Sequence, residues 1–361
     1  MKIEQSELKD LKAVISLTLE PADYQEEVNK QLKQVRQKAQ MPGFRPGMVP
    51  AGLVKKMYGK GILADVLNKL VGENLQKHIE DNKLMILGDP LPNDELTKNI
   101  DLDHEDTFTF AFDIAVAPEF DAKLTAKNKL PEYTIEITDE MIDKQVEAYT
   151  NRFGEYIPED KEKGTKAEVK PCKVDAELFA KVYGDKAPKN EKEFRARIKE
   201  DIERSLAEES KYRFGIDAKA AILKKLEKVE FPVDFLKRWV LATNEKMTQE
   251  ELDKDFDKML DELKWHLAKD QLMKEYNINI EKNEVEDFAK RVAKMQFMQY
   301  GLMNIEDEHL TNYANEMMKN ENQLRGIVER VAEDKIFAAL KGVVKIEPKT
   351  VSQKDFDKLF K

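Results

Sequence analysis

Phe44 and Arg45 are the residues whose setting most suggests chemistry, and the chemistry is recognition. They stand in the run Met41-Pro42-Gly43-Phe44-Arg45-Pro46-Gly47-Met48-Val49-Pro50. The glycines let the backbone turn, the ring is a rigid apolar plug, and the guanidinium is a planar fork shaped for carboxylate or phosphate. Between Val28 and Ala64 lie eight basic side chains, Lys30, Lys33, Arg36, Lys38, Arg45, Lys55, Lys56 and Lys60, and no acidic one. The chain as a whole has 71 acids against 61 lysines and arginines, a net charge of -10. A cationic tip on an anionic body suits docking onto something polyanionic at one place, by contacts that weaken as salt rises. On charge alone, a solvated helix face is the plainer alternative.

A second set of side chains suits contact with variable apolar partners. Met295, Met298, Met303, Met317 and Met318 crowd 24 residues, with Phe297 and Tyr300 among them. The flexible, polarizable thioether adapts to irregular apolar surfaces, although gap-filling in a helical core explains the same cluster equally well. Phe231, Trp239, Phe256 and Trp265 are expected in the core.

Catalytic chemistry has little to work with. His78, His104, His266 and His309 are scattered, and none is at ligand spacing from another histidine or from Cys172. There is no phosphate-cradling loop, nucleophile elbow or dinucleotide fingerprint, so no enzyme active site, metal or cofactor is expected. The lone Cys172 allows no intrachain disulfide. The N-terminus lacks an apolar signal core and no segment approaches the roughly 18 apolar residues of a membrane span, which points to the cytoplasm and to no membrane partner.

The elements that must position these residues follow from periodicity. With 361 residues, 37% charged, and only 14 Gly and 13 Pro, two or three domains rich in long helices are expected. Leu11, Ala13, Ile15, Leu17 and Leu19 alternate as in a half-buried strand. Pro21 can open a helix striped by Tyr24, Val28, Leu32, Val35 and Ala39. Pro50 can open a short helix ended by Gly59, with a further helix through Leu63, Val66, Leu70 and Ile79. Residues 84–87 and 107–116 return to strand. Residues 1–116 therefore form an α+β domain with a projecting helix-loop-helix, a small antiparallel sheet covered by helices.

Residues 117–173 are expected to be a linker, with a short strand at Tyr133, Ile135 and Ile137, a helix capped by Thr138, and a polar loop over 154–171. Residues 174–361 are expected to be a helical body. Asn190 with Glu193, Thr248 with Glu251 and Asn283 with Glu286 mark helix starts. Helices are expected over roughly 284–300, 306–319 and 321–341, before a short segment from Val343 to Val351.

Gly43-Phe44-Arg45-Pro46-Gly47-Met48-Val49-Pro50 resembles the ribosome-docking signature of the trigger factor family, Gly-Phe-Arg-x-Gly-x-x-Pro, and stands where that family has it. Val174 through Tyr183-Gly184, Phe194 onward to Phe231-Pro232, and Val343 to Phe360 resemble its C-terminal chaperone domain. The resemblance implies a multidomain, mostly α fold: an N-terminal α+β docking domain followed by an elongated all-α body with arms. It implies an ATP-independent chaperone that binds the ribosome, at an exit-tunnel protein and nearby ribosomal RNA. Docking falls to Gly43, Phe44, Arg45, Pro46, Gly47 and Pro50, with Arg36, Lys38, Lys55 and Lys56 around them. Nascent or unfolded polypeptides would meet the methionine cluster, and the free protein could form a homodimer.

Two departures stand out. Pro46 replaces the lysine that the family usually has after the loop arginine. Only the polar stretch from about Gly154 to Val174 occupies the place of the family's FK506-binding-type prolyl isomerase domain, too little to bury such a core, so full-length relatives would add an isomerase activity not expected here. The rival readings are an RNA-binding module and a helical scaffold for one folded partner.

Overall fold

The computed structural model describes residues 1–39, 42, 44–45, 48–97, 100–102, 106–157, 168–300, 302 and 305–360. The first strands are β1 (Lys2–Gln5) and β2 (Lys12–Leu19), followed by helices α1 (Pro21–Lys38) and α2 (Ala51–Asp81) and strands β3 (Leu91–Pro92) and β4 (Phe108–Ala115). Next come β5 (Lys129–Ile135), α3 (Asp139–Arg152), the β6 (Glu155–Ile157) and β7 (Glu168–Lys170) pair, α4 (Ala176–Tyr183) and α5 (Glu191–Lys225). The remainder is α6 (Val233–Thr243), α7 (Gln249–Glu275), α8 (Lys282–Gln299), α9 (Asp307–Lys319), α10 (Glu321–Lys341), β8 (Lys345–Val351) and α11 (Gln353–Asp357). The chain divides into two compact units, residues 1–120 with 228–260 and residues 121–227 with 261–361.

In the first unit an antiparallel sheet runs in the order β1-β2-β4-β3. The alternation in β2 puts Ala13, Ile15, Leu17 and Leu19 on the buried face, and Ile15, Leu17 and Leu19 lie opposite Phe112, Phe110 and Phe108 of β4. Helices α1 and α2 cover that face: Tyr24, Val28, Ile62, Val66, Leu67 and Val71 join the strand residues in one core. The Tyr24 hydroxyl donates to the Asp106 carbonyl at 2.9 Å, so its one polar atom is satisfied. From the later stretch, Trp239 lies over Gly88, whose φ of +74° and lack of a side chain both matter: a Cβ there would meet the indole at 2.6 Å.

Gly59 does not end a helix. α2 runs unbroken from Ala51 to Asp81, and Gly59 lacks the left-handed conformation with which glycine commonly ends a helix: among the described glycines only Gly88 and Gly184 have positive φ. The stripe of Val54, Ile62, Leu63, Val66 and Leu67 continues across Gly59 and Gly61, and burying it outweighs the roughly 1 kcal/mol that each mid-helix glycine costs.

In the second unit β5 pairs in parallel with β8, Leu130 opposite Ile346 and Ile135 opposite Val351. The Val343 to Val351 segment is thus the partner of a strand more than two hundred residues earlier, and this mostly helical unit contains a two-stranded ribbon. Ile135, Leu206 and Phe356 close one small core beside it. Residues from α3, α4 and α5 form another, in which Phe179 and Phe194 lie 4.5 Å apart between ring centroids. Trp265 stacks on Phe337 and donates its indole N–H to Glu333 at 2.9 Å. Of the four expected core aromatics, Phe256 and Trp265 are buried, while Phe231 and Trp239 are half-buried.

The capping signals at Thr138, Asn190 and Thr248 operate as hydrogen bonds to Met141, Glu193 and Glu251. Asn283 does not cap. It lies inside the first turn of α8, where the Glu281 backbone N–H is taken by the Glu284 carboxylate at 2.9 Å.

Gly61 is exposed, and a methyl added there would have no atom within 4 Å. Gly61→Ala is expected to raise unfolding stability by about 0.5–1 kcal/mol in urea titration; a loss of stability would mean that the helix does not pass through this position.

Candidate functional site

The loop between α1 and α2 is held from below and open above. Ala39, Val49 and Val54 are buried together and packed by Leu32, Val35 and Leu53, an apolar knot at the meeting of the two helix ends. The Arg36 guanidinium Nε–H donates to the Val49 carbonyl at 2.9 Å, fixing the loop's return to α1. The Pro50 carbonyl accepts from the N–H groups of Leu53 and Val54, which starts α2. Sequence reasoning missed Val49 as the anchor; its place two residues after Gly47, just before a helix-starting proline, was the available signal.

Above this knot Phe44 is 41% exposed and Met48 is 70% exposed, and the Arg45 side chain is exposed as well. Met57 and Tyr58 are also open to solvent on α2 and extend the apolar surface of the tip. Arg36, Lys38, Lys55 and Lys56 are all exposed around it, as expected for a cationic rim. Gly43, Pro46 and Gly47 lie outside the described residues. An exposed ring beside a guanidinium, held by an apolar anchor and edged by cations, can insert into a small pocket while its rim contacts phosphate or carboxylate.

The methionine cluster separates into three environments. Met295 and Met298 line a cleft of about 970 Å³ in the second unit, between α5, α8, α9 and α10. Phe297 instead packs on Tyr313, with ring centroids 5.0 Å apart, and lines another hollow of about 790 Å³ with Leu302, Ile305 and His309. Met317 and Met318 are half-buried against the core of Val285, Ala289, Ala314, Ile327 and Val331, with Met317 also on the lining of the cleft, while Tyr300 is 84% exposed. Met303 lies outside the described residues. Periodicity along one helix could not reveal the cleft, whose walls also come from Tyr212, Gly326 and Ile327, on helices distant in sequence.

Helix α8 is tied to α10 by the Lys335 ammonium, which reaches the Glu284 carboxylate at 2.7 and 2.8 Å. The backbone N–H of Glu281 and then the Lys335 bond hold the Glu284 carboxyl below its ordinary value of 4.5. Among the described residues no group of three or more His, Cys, Asp and Glu side chains could hold a metal ion, and no helix is long and apolar enough to cross a membrane.

Fold and surface together define a multidomain, mostly α protein whose first unit is α+β and presents a cationic helix-loop-helix. Protein-family models give the particular family. "Bacterial trigger factor protein (TF)" matches residues 1–149 and "Probable trigger factor, C-terminal domain" matches residues 210–360. The chain belongs to the trigger factor family.

Trigger factor of Hyphomonas neptunium is 28% identical over 160 residues, 44% of this chain and 36% of that protein. Trigger factor of Francisella tularensis subsp. novicida is 31% identical over 134 residues, 37% of this chain and 29% of its own length. The chain spans about a third of the length of the curated relatives it matches. A solved structure of the trigger factor chaperone, described for promiscuous substrate recognition in folding and assembly activities, aligns over 94% of this chain and 99% of its own at a TM-score of 0.53. At 12% identity that likeness is one of fold.

Two outcomes follow from this geometry. Arg36→Met keeps the aliphatic stem but removes the donor to Val49, and local opening is expected to speed proteolytic cleavage between α1 and α2 roughly fivefold, with the global urea midpoint little changed. The depressed Glu284 carboxyl contributes stability that is present above its ordinary value and is lost as pH falls through the folded one. The stability gap between the parent chain and Glu284→Gln, measured by urea titration, is therefore expected to be full at about pH 6 and to shrink as pH falls below the ordinary value of 4.5.

Proposed function

We propose that this chain is an ATP-independent chaperone that docks through its Gly43–Pro50 loop at the ribosomal tunnel exit and holds nascent or unfolded polypeptides on its helical unit. The observation that carries the reading is the exposure of Phe44 and Arg45 above a buried Val49, in the acid-free stretch of an otherwise acidic protein. Family membership supports it. In this reading residues 1–116 dock, residues 117–173 link, and residues 174–361 hold clients.

Phe44 fills a pocket on an exit-tunnel protein, and Arg45 pairs with its carboxylates or with adjacent ribosomal RNA. Gly43, Gly47 and Pro50 complete the docking motif, the two glycines assigned from sequence alone. Pro46 carries no charge where the family usually has lysine, so Arg36, Lys38, Lys55 and Lys56 supply the remaining attraction for phosphate. Met295, Met298 and Tyr300 are the exposed client contacts, with Phe297, Met317 and Met318 at their margins and Met303 assigned from sequence alone. Weak, reversible apolar contact lets folding of the client compete for release, and no nucleotide or other cofactor is involved. A homodimer of the free protein would cover the same apolar surfaces.

The chain works in the cytoplasm by binding, without prolyl isomerisation. Supporting this, the described residues between the two family-matched stretches complete α3, the β6–β7 pair, α4 and the first half of α5, and Leu178, Phe179, Val182, Phe194 and Ile198 bury themselves in the core of the second unit.

Replacing Phe44, Arg45 and Pro46 together by alanine is expected to lower cosedimentation with salt-washed ribosomes roughly tenfold or more, while suppression of aggregation by the free protein persists. Unchanged cosedimentation would remove the loop from docking; loss of both activities would point to a damaged fold.

A further inference from the structure

The cleft that holds Met295 and Met298 has a charge opposite to that of the chain. Its lining includes five cations, Arg204, Lys211, Arg291, Lys294 and Arg330, against two carboxylates, Glu208 and Asp334, in a protein of net charge -10. Lys211 is paired with Asp334 at 3.1 Å. Among the described residues Arg204 and Arg330 have only distant partners on their own helices, Asp201 at 3.6 Å and Glu333 at 3.9 Å, and both side chains are mostly exposed. The Arg291 guanidinium lies 5.0 Å from the centroid of the Phe288 ring, a stacking contact that leaves its N–H groups for another acceptor.

Apolar and cationic groups are arranged side by side. On α8 the residues Phe288, Arg291, Val292, Met295 and Met298 recur at three- and four-residue steps, so one face presents ring, guanidinium and thioethers together. Across the cleft, α10 contributes Ile327 and Arg330 a turn apart.

Between those walls stands Gly326, inside the 21-residue helix α10. Its φ is not positive, and a Cβ built there would have no atom within 4 Å. Neither backbone conformation nor packing within the chain therefore requires glycine, which costs the helix about 1 kcal/mol relative to alanine. Its position on the lining gives it a use, since the glycine leaves open space that a side chain at 326 would take up.

We propose that this cleft selects client segments in which an apolar stretch is flanked by aspartate or glutamate. The inference rests on the client-holding reading above and adds its chemical preference. The apolar part of the client lies against Phe288, Met295 and Met298, across the space left open by Gly326, and the client's carboxylates meet Arg291, Lys294 and Arg330. A segment flanked by lysine or arginine meets like charge at the same rim and is disfavoured.

The test measures fluorescence anisotropy of the full chain with three labelled peptides that share one apolar core and differ only in flanks: acidic, basic or uncharged. The acidic-flanked peptide is expected to bind roughly tenfold more tightly than the basic-flanked one at low salt, with the gap shrinking as salt is raised. Arg291→Glu, Lys294→Glu and Arg330→Glu combined, all at exposed positions, should invert that order, and circular dichroism checks the fold. Gly326→Leu, whose Cβ would have no atom of the chain within 4 Å and which favours the helix, should weaken all three peptides.

Equal or tighter binding of the basic-flanked peptide would overturn the preference while leaving client holding intact. Unchanged order in the charge-reversed protein, or unchanged affinities in Gly326→Leu, would overturn its assignment to this cleft. Failure of every peptide to bind would overturn the client-holding reading and this inference with it.

Discussion

The packing of Val49 against Ala39 and Val54 is the contact on which the tip depends. A loop that offers an aromatic ring and a guanidinium to the outside leaves those groups without support from the fold, and a free loop loses much of its affinity to the entropy of being ordered on binding. One fully buried valine at the base of α2, with its carbonyl held by Arg36, fixes the return of the chain at little cost in length. Because the anchor is apolar and points inward, the cations around it remain at the surface. A polar anchor would have drawn some of that charge into internal pairs. The same division of labour recurs beneath it: the α1–α2 stripe is buried against the sheet, and the basic residues occupy the other helix faces.

The second unit solves a different problem, keeping an apolar cleft open beside cores that tend to collapse. It does so with helices fixed by contacts away from the cleft. Trp265 spans to Phe337 and Glu333, and Lys335 clamps Glu284 at the start of α8. Gly215 lets Phe337 approach α5 so closely that a Cβ would stand 2.7 Å from the ring, whereas Gly326 has no atom near it. Two mid-helix glycines thus serve opposite ends, one bringing helices together and the other leaving space. Met295 and Met298 remain exposed in the resulting gap, where a fully complementary core would have covered them.

Much of this was legible in the sequence, and the exceptions have physical causes. Strict alternation in β2 and the three- and four-residue stripe of α1 are strong periodic signals, and the loop announced itself by composition. The edge strand β1, Lys-Ile-Glu-Gln, offers one apolar residue and no alternation to detect. β8 was visible only as a segment, because its pairing with β5 is a contact across most of the chain and leaves no local trace. Gly59 misled because composition does not record whether a glycine takes a left-handed turn. The methionine cluster was found as a cluster, but its division between cleft, hollow and core depends on which face of α8 or α9 each residue occupies and on which helices pack there. The basic lining of the cleft was invisible for the same reason, since Arg204, Arg291 and Arg330 come from three helices.

The most direct measurement replaces Phe44 with a photoreactive phenylalanine analogue and, as a control, places the same group at Tyr156, which is 66% exposed in the second unit. Irradiation with intact ribosomes should give a discrete, salt-sensitive crosslink from position 44 to a protein or RNA at the tunnel exit and little from position 156. Equal labelling from the two positions, or no crosslink from 44 under conditions where the chain cosediments, would contradict docking through the loop.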